Sequence, residues 1–184
     1  MNLANKISLL RILLIPFFIL LFYGFYLWGW FWAGCAAILV YLLAAFTDFL
    51  DGYVARKYHM VSTLGKLIDP LADKMFLMSV MICLVGQGMM DVWVVVVVLA
   101  REFLITGLRS VAAAENIVIA ASKWGKAKTV SQIIAVGLLL FDAFVYRLVF
   151  SGVNIAWICV MIMTVLTVYS GVDYIYKNRK LLKM

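Results

Sequence analysis

Six apolar stretches, each about as long as a helix must be to cross a bilayer, leave this chain few folds to choose from. They lie near residues 9–27, 30–56, 67–87, 92–114, 129–150 and 152–176. At membrane depth every backbone N–H and C=O must be paired within its own segment, so each stretch is expected to be helical. That includes the β-branched VWVVVVVLA run at 92–100, which an isolated strand would leave unsatisfied. The expected fold class is therefore an all-α integral membrane protein with six transmembrane helices. An even number of spans puts both termini on one side. The second stretch is longer than a span needs, so its charged end, from Asp48 onward, is expected to reach past one face. The first stretch does not read as a cleavable signal, because its apolar run is long, contains Pro16 and is followed by no small-residue cleavage site.

Orientation follows from the basic residues. All of the 16 Lys and Arg residues except Arg147 fall at one end of the predicted spans. The positive-inside rule makes that end, with both termini, cytoplasmic. Trp28, Trp30, Trp32 and Trp93 gather toward the opposite ends, as an interfacial aromatic belt does. The net charge of +7 fits this topology and an attraction to anionic lipid headgroups, or a pocket for a phosphorylated substrate. With 67% hydrophobic and 14% charged residues, almost no soluble surface remains for nucleic-acid binding, which is excluded. Cys35, Cys83 and Cys159 are far apart and read as small packing residues. His59 is the single histidine, which excludes multi-histidine metal sites and most His-dependent hydrolases. No linker, repeat or low-complexity tract interrupts residues 1–184, which read as one domain.

Against this background the stretch TDFLDGYVARKYHMVSTLGKLIDPLAD, residues 47–73, is anomalous. It holds Asp48, Asp51, Asp69 and Asp73 in a chain with only 9 acidic residues in total. An aspartate at the centre of a spanning helix costs about 2.5–3.5 kcal/mol on the insertion scale. Four together set an upper penalty on the order of 10 kcal/mol unless something neutralises them, so the default reading is functional. Asp48 and Asp51 are spaced i, i+3, and Asp69 and Asp73 i, i+4, so each pair shares a helix face. Two such faces turned together make a nest of carboxylate oxygens, suited to hard divalent cations such as Mg²⁺ or Mn²⁺, with room for two. Taken singly, each acid has a structural alternative. Asp69 before Pro70 suits a helix start, Asp51 has Arg56 and Lys57 as ion-pair partners, and Asp73 has Lys66 and Lys74. Four within one short stretch make the joint structural reading the weaker one. Gly52, Ala55 and Gly65 leave room for a ligand to approach the backbone, and Arg56 could hold a phosphate oxygen. Close helix packing is the competing explanation for such small residues, above all for Gly65.

Written out as D48-x2-D51-G52-x2-A55-R56-x8-G65-x3-D69-x3-D73, the stretch resembles the signature of the CDP-alcohol phosphotransferases at all eight positions. NKISLLRILLIP (5–16), AREFLITGLRS (100–110) and AASKWGKAKTVSQ (120–132) are similar to the bacterial phosphatidylglycerophosphate synthase branch of that family. Ser8 stands where Thr is expected, and Ala4 replaces a frequent Pro. The resemblance implies the CDP-alcohol phosphotransferase fold and transfer of a phosphatidyl group from CDP-diacylglycerol to glycerol-3-phosphate, releasing CMP. It implies two divalent cations, Mg²⁺ or Mn²⁺, held by Asp48, Asp51, Asp69 and Asp73, with Asp73 also the catalytic base. Asp48, Asp51, Gly52, Ala55, Arg56 and Gly65 would line the CDP-lipid site. A homodimer in the cell's inner membrane, multi-pass with its active site facing the cytoplasm, is likewise implied.

The downstream basic residues suit such chemistry. Arg101 and Arg109 lie a little over two helical turns apart, on roughly one face, and Lys126 and Lys128 enter from the following loop. Together they could receive the acceptor's phosphate, with Glu102 orienting one arginine; ordinary positive-inside loop charge is the alternative. GKAKT is not a P-loop, because Ala120 and Ala127 stand where Gly and Ser/Thr are required. Rival readings are an acceptor such as inositol phosphate, a Mg-dependent membrane prenyltransferase, and a divalent-cation transporter. Prenyltransferases typically need more spans and no G-x2-A-R element, and a transporter would place its acids at mid-membrane.

Overall fold

The computed structural model describes the backbone of residues 3–58, 63–114, 117, 122–145, 149–150 and 153–179, and the side chains of 9–47, 74–113, 117, 122–145 and 154–179. Its described part is built from six α-helices: α1 (Leu3–Trp28), α2 (Phe31–Tyr58), α3 (Thr63–Gly86), α4 (Val92–Ala114), α5 (Lys123–Phe144) and α6 (Ile155–Lys177). Two short strands, β1 (Val149–Phe150) and β2 (Val153–Asn154), pair antiparallel between α5 and α6. Leu9–Trp28, α5 and α6 are long and apolar enough to cross a membrane. Helix α4 carries Arg101, Glu102 and Arg109 within its length, which makes it less apolar without shortening it. The chain is a helical membrane protein.

The helix ends have local causes. Gly29 takes φ +65°, a left-handed conformation open to glycine, and its N–H returns to the Phe25 carbonyl, closing α1. Gly88 (φ +68°) closes α3 in a Schellman turn, with Gly88 N–H bonded to Val85 O and Met89 N–H to Leu84 O, both at 2.9 Å. Ser122 caps α5 by accepting the Gly125 N–H at 3.0 Å. Asn154 caps α6 by accepting from the Ala156 and Trp157 amides.

The chain packs as two compact units. One comprises Met1–Met89 with Gly137–Arg147, so that α1 packs on α2 and α3 and receives the end of α5. Its core is aromatic: Phe22 and Phe25 meet Phe144 at ring-centroid distances of 5.4 and 4.8 Å, and Phe18 meets Phe76 at 5.9 Å. Gly34 on α2 makes this closure possible, since a Cβ there would lie 2.9 Å from Phe25 Cδ2 and 3.0 Å from Phe144 Cβ. At the α1–α2 turn, Trp28, Trp30 and Trp32 form an exposed row with centroids 5.1 and 5.4 Å apart. The other unit comprises Met90–Val136 with Leu148–Met184, in which α4 packs against α6. It buries Val94, Val98, Val160 and Met163 together with a polar set, Lys128, Gln132, Thr164, Thr167 and Ser170. The three α6 hydroxyls are spent on their own helix, bonding Val160 O, Met163 O and Thr167 O at 2.8, 2.8 and 3.0 Å.

Several sequence expectations need correction. The fifth stretch, expected at 129–150, is helical over Lys123–Phe144 and gives way to β1. Lys126 and Lys128 therefore stand on α5 and not on a loop, because the Ser122 cap starts the helix ahead of the apolar run. The sixth stretch starts at Ile155, after β2. Helix α3 is already under way at Thr63, so Asp69–Pro70 does not mark its start. Cys83 is buried as expected of a packing residue, whereas Cys35 is exposed. His59 and Arg147 lie outside the described residues.

Candidate active site

Both acid pairs stand on helical backbone. Asp48, Asp51, Gly52, Ala55 and Arg56 belong to the last turns of α2, and Gly65, Asp69 and Asp73 to the first half of α3. The i, i+3 and i, i+4 spacings thus fall on continuous helix, as a shared face requires. The side chains of these eight residues lie outside the described ones. As donors, four aspartates offer oxygen alone, which fits Mg²⁺ or Mn²⁺ and not softer metals. Among the described residues no group of three or more His, Cys, Asp or Glu could hold a metal ion, so that part of the chain presents no competing centre.

The basic residues are described in detail. Arg101 and Lys128, from α4 and α5, meet at one oxygen. Glu102 Oε1 accepts from Arg101 Nη1 at 3.0 Å and also from Lys128 Nζ. The three side chains are 13%, 4% and 12% exposed for Arg101, Lys128 and Glu102, so the cluster is largely desolvated and its electrostatics strong. Two glycines give Arg101 its course. A Cβ on Gly171 of α6 would lie 3.3 Å from Arg101 Cγ, and one on Gly125 of α5 would lie 3.5 Å from Nη2. Arg101 Nε is buried with no hydrogen-bond partner in the described structure. The expectation that Glu102 orients an arginine holds, and the same carboxylate also takes Lys128.

Arg109 is held separately. Its Nε donates to the Tyr174 hydroxyl at 3.2 Å, and its guanidinium carbon lies 5.7 Å from the Tyr174 ring centroid. The residue remains exposed, as does Lys126 near the start of α5. Of the four predicted acceptor residues, the structure brings Arg101 and Lys128 together and anchors Arg109 on α6 through Tyr174. Sequence reasoning missed Tyr174 and Gln132. Gln132 is 1% exposed, with its Nε2 buried and lacking a partner in the described structure. It follows Lys128 by one helical turn, a spacing that could have marked it. A groove of about 460 Å³ along α6, lined by Trp93, Met161, Val165, Val168 and Val172 among others, holds no charged group and is no place for diphosphate chemistry.

Comparison with known proteins gives a consistent result. Residues 1–169 match the family described as CDP-alcohol phosphatidyltransferase. A CDP-diacylglycerol–glycerol-3-phosphate 3-phosphatidyltransferase of Bacillus subtilis (strain 168) is 41% identical over 99% of this chain and 97% of its own length. The protein of the same name from Rickettsia typhi is 37% identical over 92% of this chain and 94% of its own. A probable phosphatidylglycerophosphate synthase of Mycobacterium tuberculosis (H37Rv) is 38% identical over 95% of this chain and 80% of its own. An acid-bearing helix pair within a six-helix apolar chain, matched along nearly its whole length, leaves one assignment: the chain belongs to the CDP-alcohol phosphatidyltransferase family.

Proposed function

We propose that this protein is an enzyme that transfers the phosphatidyl group of CDP-diacylglycerol to glycerol-3-phosphate, giving phosphatidylglycerophosphate and CMP. The carrying observation is likeness along nearly the whole length of relatives bearing that activity's name, 97% of the Bacillus subtilis protein, with the eight-position motif intact in this chain. In this reading residues 1–184 act as one catalytic domain with six membrane spans, both termini cytoplasmic, working as a homodimer at the cytoplasmic face of the cell membrane. A water-soluble acceptor and a lipid donor can meet only at such an interface.

The primary hydroxyl of the acceptor attacks the phosphorus that carries the diacylglycerol oxygen. The bond from that phosphorus to the bridging oxygen breaks, and CMP leaves with the bridging oxygen. Asp73 takes the hydroxyl proton. Asp48, Asp51, Asp69 and Asp73 are the residues that would hold two divalent cations, Mg²⁺ or Mn²⁺. When bound, such a pair supplies charge neutralisation for the diphosphate and for the leaving oxygen. Gly52, Ala55 and Gly65 keep the CDP site open, and Arg56 orients a phosphate oxygen. Arg101, Arg109, Lys126 and Lys128 receive the acceptor phosphate, which favours a phosphorylated acceptor over serine.

Purified protein supplied with CDP-diacylglycerol and a panel of acceptors tests the assignment. CMP is expected to be released with glycerol-3-phosphate; release only with inositol phosphate, or pyrophosphate release from a prenyl donor, overturns it. A second expectation concerns Arg109, whose Nε is occupied by Tyr174 while the residue stays exposed. Arg109→Ala should raise the acceptor KM by about tenfold or more, the scale of one lost charge-assisted hydrogen bond, with little change in donor KM. Equal effects on both constants would remove Arg109 from the acceptor site.

A further inference from the structure

We propose that Glu102 is a positioning residue for the acceptor phosphate, holding Arg101 and Lys128 as one preassembled anion receptor. The inference rests on the acceptor-site reading above and assigns a role to an acid at a site otherwise made of cations. A carboxylate beside an anion site is at first sight repulsive. Its geometry gives the reason for it. Arg101 and Lys128 converge on a single oxygen, Glu102 Oε1, and all three side chains are at least four-fifths buried. Without that oxygen, two desolvated like charges would repel each other and swing apart. With it, two cations share one acid, so these three side chains together carry one formal positive charge while Arg101 and Lys128 are held on the same oxygen.

Packing completes the arrangement. Arg101 runs past Gly171, where a Cβ would stand 3.3 Å from its Cγ, and ends near Gly125, where a Cβ would stand 3.5 Å from Nη2. The arginine is thus confined by α6 along its stem, by α5 at its tip and by Glu102 at Nη1. Its buried Nε has no hydrogen-bond partner in the described structure, so the donor capacity of the cluster is not exhausted internally. Donors fixed before the ligand arrives need no reorganisation when it binds. A phosphate monoester, dianionic near neutral pH, is the ligand class that such a receptor suits.

The test is steady-state kinetics on the full-length enzyme in lipid, with CDP-diacylglycerol and glycerol-3-phosphate varied separately. Glu102→Gln keeps the shape and removes the charge; it is expected to raise the acceptor KM by about tenfold or more and to leave the donor KM within about threefold. Glu102→Asp keeps the charge on a shorter arm, so it should fold and give an intermediate acceptor KM. The combination of Glu102→Gln with Lys128→Met should cost less than the sum of the separate changes, as for groups acting as a unit. If Arg101→Ala and Lys128→Met raise the acceptor KM while neither Glu102 variant does, the role of Glu102 is overturned and the acceptor site stands. If none of these variants moves the acceptor KM, the acceptor-site reading falls as well. If Glu102→Asp raises both KM values and lowers the melting temperature together, Glu102 is a packing residue and the inference is wrong.

Discussion

Asp73→Asn is expected to lower phosphatidyl transfer by about a hundredfold to ten-thousandfold, the usual contribution of a positioned general base, while CDP-diacylglycerol binding survives. The amide is nearly isosteric with the carboxylate and can still offer one oxygen, but it cannot take the acceptor's proton. Asp51→Asn, at a position proposed to hold metal and line the CDP-lipid site but not to act as base, should weaken donor binding as well as turnover. Binding of CDP-diacylglycerol to each variant in nanodiscs, beside CMP release, separates the two. Loss of binding in Asp73→Asn equal to that in Asp51→Asn would leave Asp73 as one more ligand and require the base to be sought elsewhere. The contrast is informative because both positions stand on helix, Asp51 near the end of α2 and Asp73 in α3.

Gly34→Ala should be the most damaging single-methyl change in the described part of the chain. The added Cβ would come within 2.9 Å of Phe25 Cδ2 and 3.0 Å of Phe144 Cβ, and the latter sits close to backbone and cannot swing away. Overpacking of this kind costs about 1–3 kcal/mol, or roughly 2–12 °C in melting temperature for a chain of this size. Gly107→Ala is the matched control, since among the described residues nothing lies within 4 Å of its Cβ position on α4. There the loss of glycine's backbone freedom should stabilise by about 0.5–1 kcal/mol. Melting curves of the two variants in the same detergent should therefore shift in opposite directions. A Gly34→Ala protein that melts with the parent would mean that α1 and α2 can part without cost.

How far the sequence foretold this fold depends on what each signal measures. Hydropathy located six helices, including the β-branched start of α4, because lipid leaves an isolated backbone segment one way to pair its polar groups. It misplaced α5 because Lys123, Lys126 and Lys128 read as loop, whereas Ser122 had already capped the helix. A Ser immediately ahead of the helix was visible in AASKWGKAKTVSQ, but charge outweighed it. The capping alternative for Asp69 before Pro70 fails because α3 starts at Thr63, in polar turns ahead of the apolar run. Within the site, spacing could put Arg101 and Arg109 on one side of α4 and suggest that Glu102 orients an arginine. It could not name Tyr174, which is 65 residues from Arg109 along the chain, or show that Lys128 shares the Glu102 oxygen. Periodicity assigns faces; partners on other helices come only with the fold.

The row of Trp28, Trp30 and Trp32 has an optical consequence. Three of the chain's 6 tryptophans stand within contact distance at a single turn, all exposed. Excitation energy hops readily between indoles so close, which makes the trio a concentrated emitter at one depth. In sealed vesicles of uniform orientation, an impermeant quencher added outside should dim this emitter or spare it according to which side the α1–α2 turn occupies. The enzyme thus carries its own label for the sidedness of its membrane insertion.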